Sequence, residues 1–288
     1  MNTYISNFLA YSRNNPYKTL SKNTLDNYQL DLLQFIGFIK KDCLDIVQND
    51  ILLYRKYLKD FRIPQKNKPY SIKTINRKLV SVNQFLKYLN EETEFNKTII
   101  IKPEKIQFQN IRSEILNSND VKRILNSACK VKDYRTIALI YTLFYTGTRI
   151  SEALQIKTSD VDSDKIWIIG KGEKYRQIFI PKILKQSWHE YLKVRHESES
   201  EFLFVGQKGP MTRQYAGRCI KYYAGMAKIK KDKVYPHAFR HLFSKNLYEA
   251  AVPYVVIKQL MGHQLSVTEN YMQYSEKDIL KFIDKIKL

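Results

Sequence analysis

Several familiar patterns are missing from this 288-residue chain, and each absence argues against a class of function. Cysteine is scarce: Cys43, Cys129 and Cys219 lie far apart, an odd count with no C-x-x-C pairing. That argues against a disulfide framework or a cysteine zinc site, and suits small buried hydrophobes in a reducing compartment. No apolar run approaches the roughly 18 residues that span a bilayer, so no membrane partner is expected. The first residues lack the basic-then-apolar order of a secretory signal. The phosphate-cradling spacing G-x-x-x-x-G-K-[S/T] is absent, so no nucleoside triphosphate is indicated. Internal repeats and low-complexity stretches are also missing. The expected location is the cytoplasm.

Acidic residues are the other shortage. Asp and Glu number 28 against 49 Lys and Arg, a net charge of +21. Such a field must be solvated or matched by a polyanion, and nucleic acid is the commonest match. Charge alone would also suit an inert basic surface or a ribosome-associated protein. At this length, with 44% hydrophobic residues, the chain can bury two cores.

Apolar spacing predicts helices over 3–12, from Ser21 to Ile39, over 46–58, and from Ser71 through Leu89, with Ser21 and Ser71 as N-caps. Lys73, Arg77, Lys78 and Lys87 fall between the apolar positions of the last of these. The four helices thus read as a bundle with basic outer faces, able to lie on a phosphate backbone. Residues 61–70 read as a basic loop bracketed by prolines. The helical period then disappears, and 99–112 reads as a linker. Ser118-Asn119-Asp120 is expected to cap a helix over 121–128. A long apolar helix ends at Gly147, and another starts near Ile150. Residues 161–180 alternate and surround Gly170-Lys171-Gly172, which predicts a β-hairpin or three short strands. Further helices are expected over 182–197, 213–226, 237–250, 253–261 and 276–286.

The candidate site residues cluster late in the chain. Arg149 follows Thr-Gly-Thr at the mouth of an apolar helix. Alone, it reads slightly better as a partner of Glu152 than as an anion ligand, and both roles are compatible. Lys171 sits between two glycines, which allow a backbone to approach a ligand closely; a solvated turn fits equally. His237 and Arg240 share one face of a helix start, where free N–H groups and the helix dipole favour a phosphate. His263 follows Gly262 at a helix terminus. A metal on His237, His241 and His263 is the weaker reading, since no carboxylate or cysteine stands beside them at ligand spacing. Tyr271 is one of 21 tyrosines. Beside these cations its phenolic oxygen gains a use, because guanidinium groups that polarise a phosphodiester would make it a competent nucleophile.

Four stretches in this order resemble the boxes of the tyrosine recombinase, or phage integrase, family. YTGTRISEALQI resembles its first arginine box, and GKGEKYRQIFIP its hairpin lysine. His237-Ala-Phe-Arg240 resembles its H-x-x-R box, followed by a similar stretch to Met261-Gly262-His263. ENYMQYS resembles its tyrosine box. The layout is similar to Xer-like two-domain members. The resemblance implies a mainly α fold. A four-helix, SAM-like core-binding domain would cover 1–98, with a linker over 99–112. An α-rich catalytic domain with a small antiparallel sheet would cover 113–288.

It also implies the chemistry. Tyr271 would attack a DNA phosphodiester, leaving a 3′-phosphotyrosyl link and a free 5′-hydroxyl. Arg149 and Arg240 would hold the non-bridging oxygens, and Lys171 would protonate the leaving oxygen. His237 would accept a proton or donate a hydrogen bond, and His263 would support the phosphate. Neither cofactor nor metal is required. The partners implied are double-stranded DNA bearing a specific site and a homotetramer passing through a Holliday junction. Exchange of the amphipathic C-terminal tail between protomers and an accessory protein are further expectations; a tail packed on its own domain is the plainer reading. His263 and Tyr271 are 271 − 263 = 8 residues apart, one fewer than is usual in the family, which makes Tyr274 the alternative nucleophile. The runner-up functions are a type IB topoisomerase-like nicking-closing enzyme and a DNA-binding protein without cleavage.

Overall fold

The computed structural model describes residues 3–16, 20–64, 67–105, 115–170, 175–262 and 274–288. They are mostly helical and belong to two compact units, Met1–Ile111 and Arg112–Leu288. Among the described residues no helix is long and apolar enough to cross a membrane.

The first unit packs α1 (Thr3–Asn14), α2 (Lys22–Ile39), α3 (Gln48–Asp60) and α4 (Ile72–Glu92) around Ile5, Phe8, Phe35, Tyr54, Val82 and Phe85. Ser21 and Ser71 cap as expected, accepting the Thr24 and Thr74 amides at 3.3 and 3.1 Å. Each such cap is worth about 1 kcal/mol. The basic loop contains a two-residue ladder that the sequence reading did not expect, β1 (Arg62–Ile63) against β2 (Lys68–Pro69).

Lys78 departs from the expected basic outer face. It turns inward and is 7% exposed. Its ammonium donates to Asp31 Oδ1 at 2.9 Å, while Ser81 Oγ donates to Asp31 Oδ2 at 2.7 Å. The partly exposed Arg77 guanidinium also pairs with Asp31. The reason is Asp31 itself: it lies buried between α2 and α4, and a buried carboxylate needs cations and donors around it.

Residues 99–105 run without regular structure, yet they are fastened to the first unit. The Gln48 carboxamide pairs with both backbone groups of Ile100, at 3.1 and 2.8 Å. The Asn76 carboxamide does the same with Glu104, at 3.0 and 2.7 Å. Arg55 and Lys59 reach the Glu104 carboxylate at 2.6 and 3.0 Å and hold its carboxyl below the usual range.

The second unit contains α5 (Ser118–Lys130), α6 (Tyr134–Thr146), α7 (Ile150–Ala153), β3 (Lys165–Ile169), β4 (Tyr175–Phe179), α8 (Lys182–Leu192), β5 (Val205–Gly206), β6 (Gly209–Pro210), α9 (Arg213–Met226), α10 (Pro236–Glu249), α11 (Tyr254–Leu260) and α12 (Glu276–Asp284). The most apolar of these, α6, packs against α5, α8, α9 and α10. β3 and β4 form the expected hairpin, in register from Lys165↔Phe179 to Ile169↔Tyr175.

Two helix boundaries differ most from the sequence expectation. α5 is capped by Asn117, one residue earlier, through a reciprocal pair of bonds with Asp120. α8 stops at Leu192 rather than 197, because the Arg195 guanidinium binds the carbonyls of Ser200, Phe202 and Leu203 and draws the chain back. The short β5–β6 ladder was not foreseen. α12 buries Ile279 and Ile283, with Ile286 just beyond it, in the core of its own unit, and Glu276 pairs with Lys165.

Candidate active site

The site begins at the end of α6. Gly147 adopts φ +58°, the left-handed conformation that stops the helix and that other residues adopt at a cost. A side chain there would also collide with Phe243 of α10, since an added Cβ would lie 2.3 Å from Phe243 Cδ1. The missing side chain lets α10 come close. The Gly147 carbonyl accepts the Arg240 Nη1–H at 2.9 Å.

Arg240 is 2% exposed. Its second terminal nitrogen donates to the Met261 carbonyl, just past α11. One guanidinium therefore ties the Gly147 turn to the end of α11. Burial, with Arg149 and Arg176 nearby, pushes its pKa down to about 10, so it stays charged at neutral pH.

Arg149 opens α7. Its backbone N–H donates to Glu152 Oε2 at 2.8 Å, and its guanidinium Nη1 to Glu152 Oε1 at 2.6 Å. The Arg149 side chain remains 35% exposed, so the pairing fixes one edge and leaves another free. The bond to Glu152 is the first of the two sequence readings, and the exposed edge is compatible with the second.

Arg176 of β4 completes the cluster and was missed by the sequence reading. It is nearly buried, donating from Nη2 to Glu152 Oε2 at 2.8 Å and from Nη1 to the Leu260 carbonyl at 2.5 Å. Its signal was present: Arg176 shares the inward strand phase with Ile178, where a charge needs a buried partner. Burial pushes the Glu152 carboxyl up, but Arg176 and Arg149 together outweigh it, and it stays ionised. Three guanidiniums surround one carboxylate, so the cluster carries 3 − 1 = +2.

His237 follows Pro236 at the start of α10. Its ring meets His241 edge-to-face at 4.7 Å. Burial, and then the neighbouring His241, Arg240 and Arg149, lower its pKa, which favours the neutral imidazole at pH 7. With Arg149 it lines a cavity of about 620 Å³. The opposite wall is α9, which brings Arg213, Arg218 and Lys221. These three were not singled out from sequence, although Arg213, Gly217 and Lys221 recur every four residues, one face of a helix. An anion entering this cavity meets cations from α7 and α9 and the neutral His237 of α10.

The structure thus brings Arg149, His237 and Arg240 together. Lys171, His263 and Tyr271 lie outside the described residues. The alternative nucleophile, Tyr274, is described: its ring packs on Phe282 of α12 at 5.9 Å.

Comparison with known proteins follows the same division. Residues 114–278 match the model of the phage integrase family, and residues 5–93 match the phage integrase N-terminal SAM-like domain. Tyrosine recombinase XerD of Rickettsia bellii is 28% identical over 288 residues, covering 92% of this chain and 92% of its own. The fold is similar to that of the XerH site-specific recombinase bound to difH substrate in a pre-cleavage complex, with a TM-score of 0.69 at 20% identity, covering 96% of this chain and 93% of that one. It is also similar to a lambda integrase tetramer bound to a Holliday junction, with a TM-score of 0.69 at 13% identity, covering 93% of this chain and 75% of that one. Because the first of these family models spans more than half of the chain, and a tyrosine recombinase aligns along nearly all of it, the chain belongs to the phage integrase family of tyrosine recombinases.

Proposed function

We propose that this protein cleaves and rejoins DNA at a specific site through a 3′-phosphotyrosyl intermediate, with Tyr271 as nucleophile. The observation that carries the reading is the surplus of +2 around Glu152, opening on a cavity walled by further cations. A pentacoordinate dianionic phosphorane is the kind of species such a surplus stabilises. Arg149 offers its free guanidinium edge to one non-bridging oxygen. Arg240, anchored on two carbonyls, has N–H groups left for the other. The neutral His237 takes the phenolic proton or hydrogen-bonds the phosphate, and His263 supports the phosphate.

The bond to O5′ breaks as the bond from Tyr271 forms. Lys171 protonates the departing oxygen. The covalent link conserves the energy of the broken phosphodiester, so rejoining is the same displacement in reverse and no external energy source is needed.

In this reading residues 1–98 and 113–288 form a core-binding and a catalytic domain, joined by 99–112. Both engage double-stranded DNA. Four protomers exchange strands in two steps, as the tetramer named in the lambda integrase complex suggests. Exchange of the tail would require α12 to withdraw Ile279 and Ile283 from its own unit and seat them on a neighbour. An accessory protein and association with the nucleoid belong to the same proposal. The topoisomerase-like alternative is not favoured, because the aligned relative is a recombinase along both units.

The test is a nicked suicide duplex carrying the target site. Wild-type protein should form an SDS-resistant 3′ adduct in the presence of EDTA. Tyr271→Phe should abolish it and Tyr274→Phe should retain it. The reverse pattern would move the nucleophile to Tyr274, and loss of the adduct in EDTA would restore the metal reading of the histidines.

A further inference from the structure

We propose that Arg176 is a positioning residue of the cleavage reaction: it shares the Glu152 carboxylate so that Arg149 keeps one edge of its guanidinium free for the scissile phosphate. The inference rests on the reading of Arg149 as a phosphate ligand.

Arg176 touches no part of the cavity wall; it works from behind. Its two terminal nitrogens reach acceptors on different elements, Glu152 Oε2 on α7 and the Leu260 carbonyl on α11. Glu152 Oε2 also accepts the Arg149 backbone N–H, so that oxygen is occupied by two donors. Only Oε1 is left for the Arg149 guanidinium, and it takes one bond. Without Arg176, Arg149 would be the one guanidinium still bonded to this buried carboxylate. Two parallel bonds between guanidinium and carboxylate are the favoured geometry for such a pair. Arg149 would turn both ends onto Glu152 and withdraw from the cavity.

The bond to Leu260 gives Arg176 a second grip. Arg176 and Arg240 hold the carbonyls of successive residues, 260 and 261, where α11 ends. Gly262 follows at φ +61°, and a Cβ there would lie 2.7 Å from Arg176 Cδ. The glycine leaves room for the arginine stem. A lysine carries its three N–H donors on one nitrogen and lacks the planar fork that reaches acceptors on two elements.

The experiment is a double-substitution cycle on single-turnover cleavage of the suicide duplex. It uses saturating full-length protein, well below the melting temperature of every variant. Arg176→Met should bind the duplex as wild type does and cleave it about 10–100-fold more slowly, the range expected for a misplaced catalytic group. In a Glu152→Gln background the same substitution should cost less than about threefold, because the charge that Arg176 shares is already gone. Arg176→Lys should fall between Met and wild type. Equal costs in the two backgrounds, or no cost in either, would overturn the proposal. Should Arg176→Met fail to fold, Arg176→Lys carries the same comparison. Arg149→Ala separates the two levels: wild-type cleavage by that variant would refute the phosphate-ligand reading itself, whereas its failure beside a normal Arg176→Met would refute only the positioning role.

Discussion

Replacing Gly147 by alanine isolates what brings the first arginine box against the H-x-x-R helix. Two costs follow from the structure. An alanine at φ +58° is strained by about 1–2 kcal/mol. Its Cβ would stand 2.3 Å from Phe243 Cδ1, and Phe243 is fully buried, so the ring or α10 must shift. Overpacking of this kind costs about 1–3 kcal/mol. The sum, about 2–5 kcal/mol, is a large part of the roughly 5–15 kcal/mol that stabilises an ordinary domain. Both tryptophans, Trp167 and Trp188, lie in the second unit, so urea denaturation followed by their fluorescence reads that unit alone. Gly147→Ala should lower the midpoint with little change in slope. Combined with Phe243→Leu, it should cost less than the two single substitutions added together, by about the 1–3 kcal/mol of the clash. A Gly147→Ala protein as stable as wild type would refute the argument, and strict additivity would refute the collision while leaving the backbone strain. Cleavage should fall as well, because any shift of α10 carries Arg240 away from the Gly147 carbonyl that anchors it.

Two other outcomes are expected. Asp31→Asn leaves Lys78 buried without its counter-charge, and should destabilise the first unit by about 3–5 kcal/mol, seen as faster hydrogen exchange in α2 and α4; unchanged exchange would count against the buried pair. If neutral His237 takes the tyrosine proton, cleavage should rise with pH through a value below the ordinary histidine 6.5 and then level off, and His237→Gln should remove that limb. The stability effect has the same direction: the fold disfavours imidazolium, so nothing is lost above 6.5, and stability declines as pH falls from there through the depressed value.

What was legible in the sequence was whatever repeats along one element. The four helices of the first unit and the β3–β4 hairpin follow from the spacing of apolar residues, and the caps of α2 and α4 from single serines. Arg149 with Glu152 was visible because the partners are three residues apart. What stayed hidden depends on elements distant in sequence. Lys78 reads as a surface lysine until Asp31, 47 residues away, is placed beside it. Arg176 reads as one more cation near a hairpin until α7 and α11 supply its two acceptors. The three basic residues of α9 gain meaning only when they face Arg149 and His237 across one cavity. The β1–β2 and β5–β6 ladders, two residues per strand, are too short to show a period.

The fastening of residues 99–105 changes where the chain should be cut. A fragment ending at residue 98, the border drawn where the helical period disappears, would discard Ile99 and Ile101, which pack on the first core. It would also strand the carboxamides of Gln48 and Asn76 and leave Arg55 and Lys59 facing each other without Glu104. A self-contained N-terminal piece must run at least to Glu104, so a weak or insoluble shorter fragment would report the position of the cut rather than any frailty of the four-helix bundle.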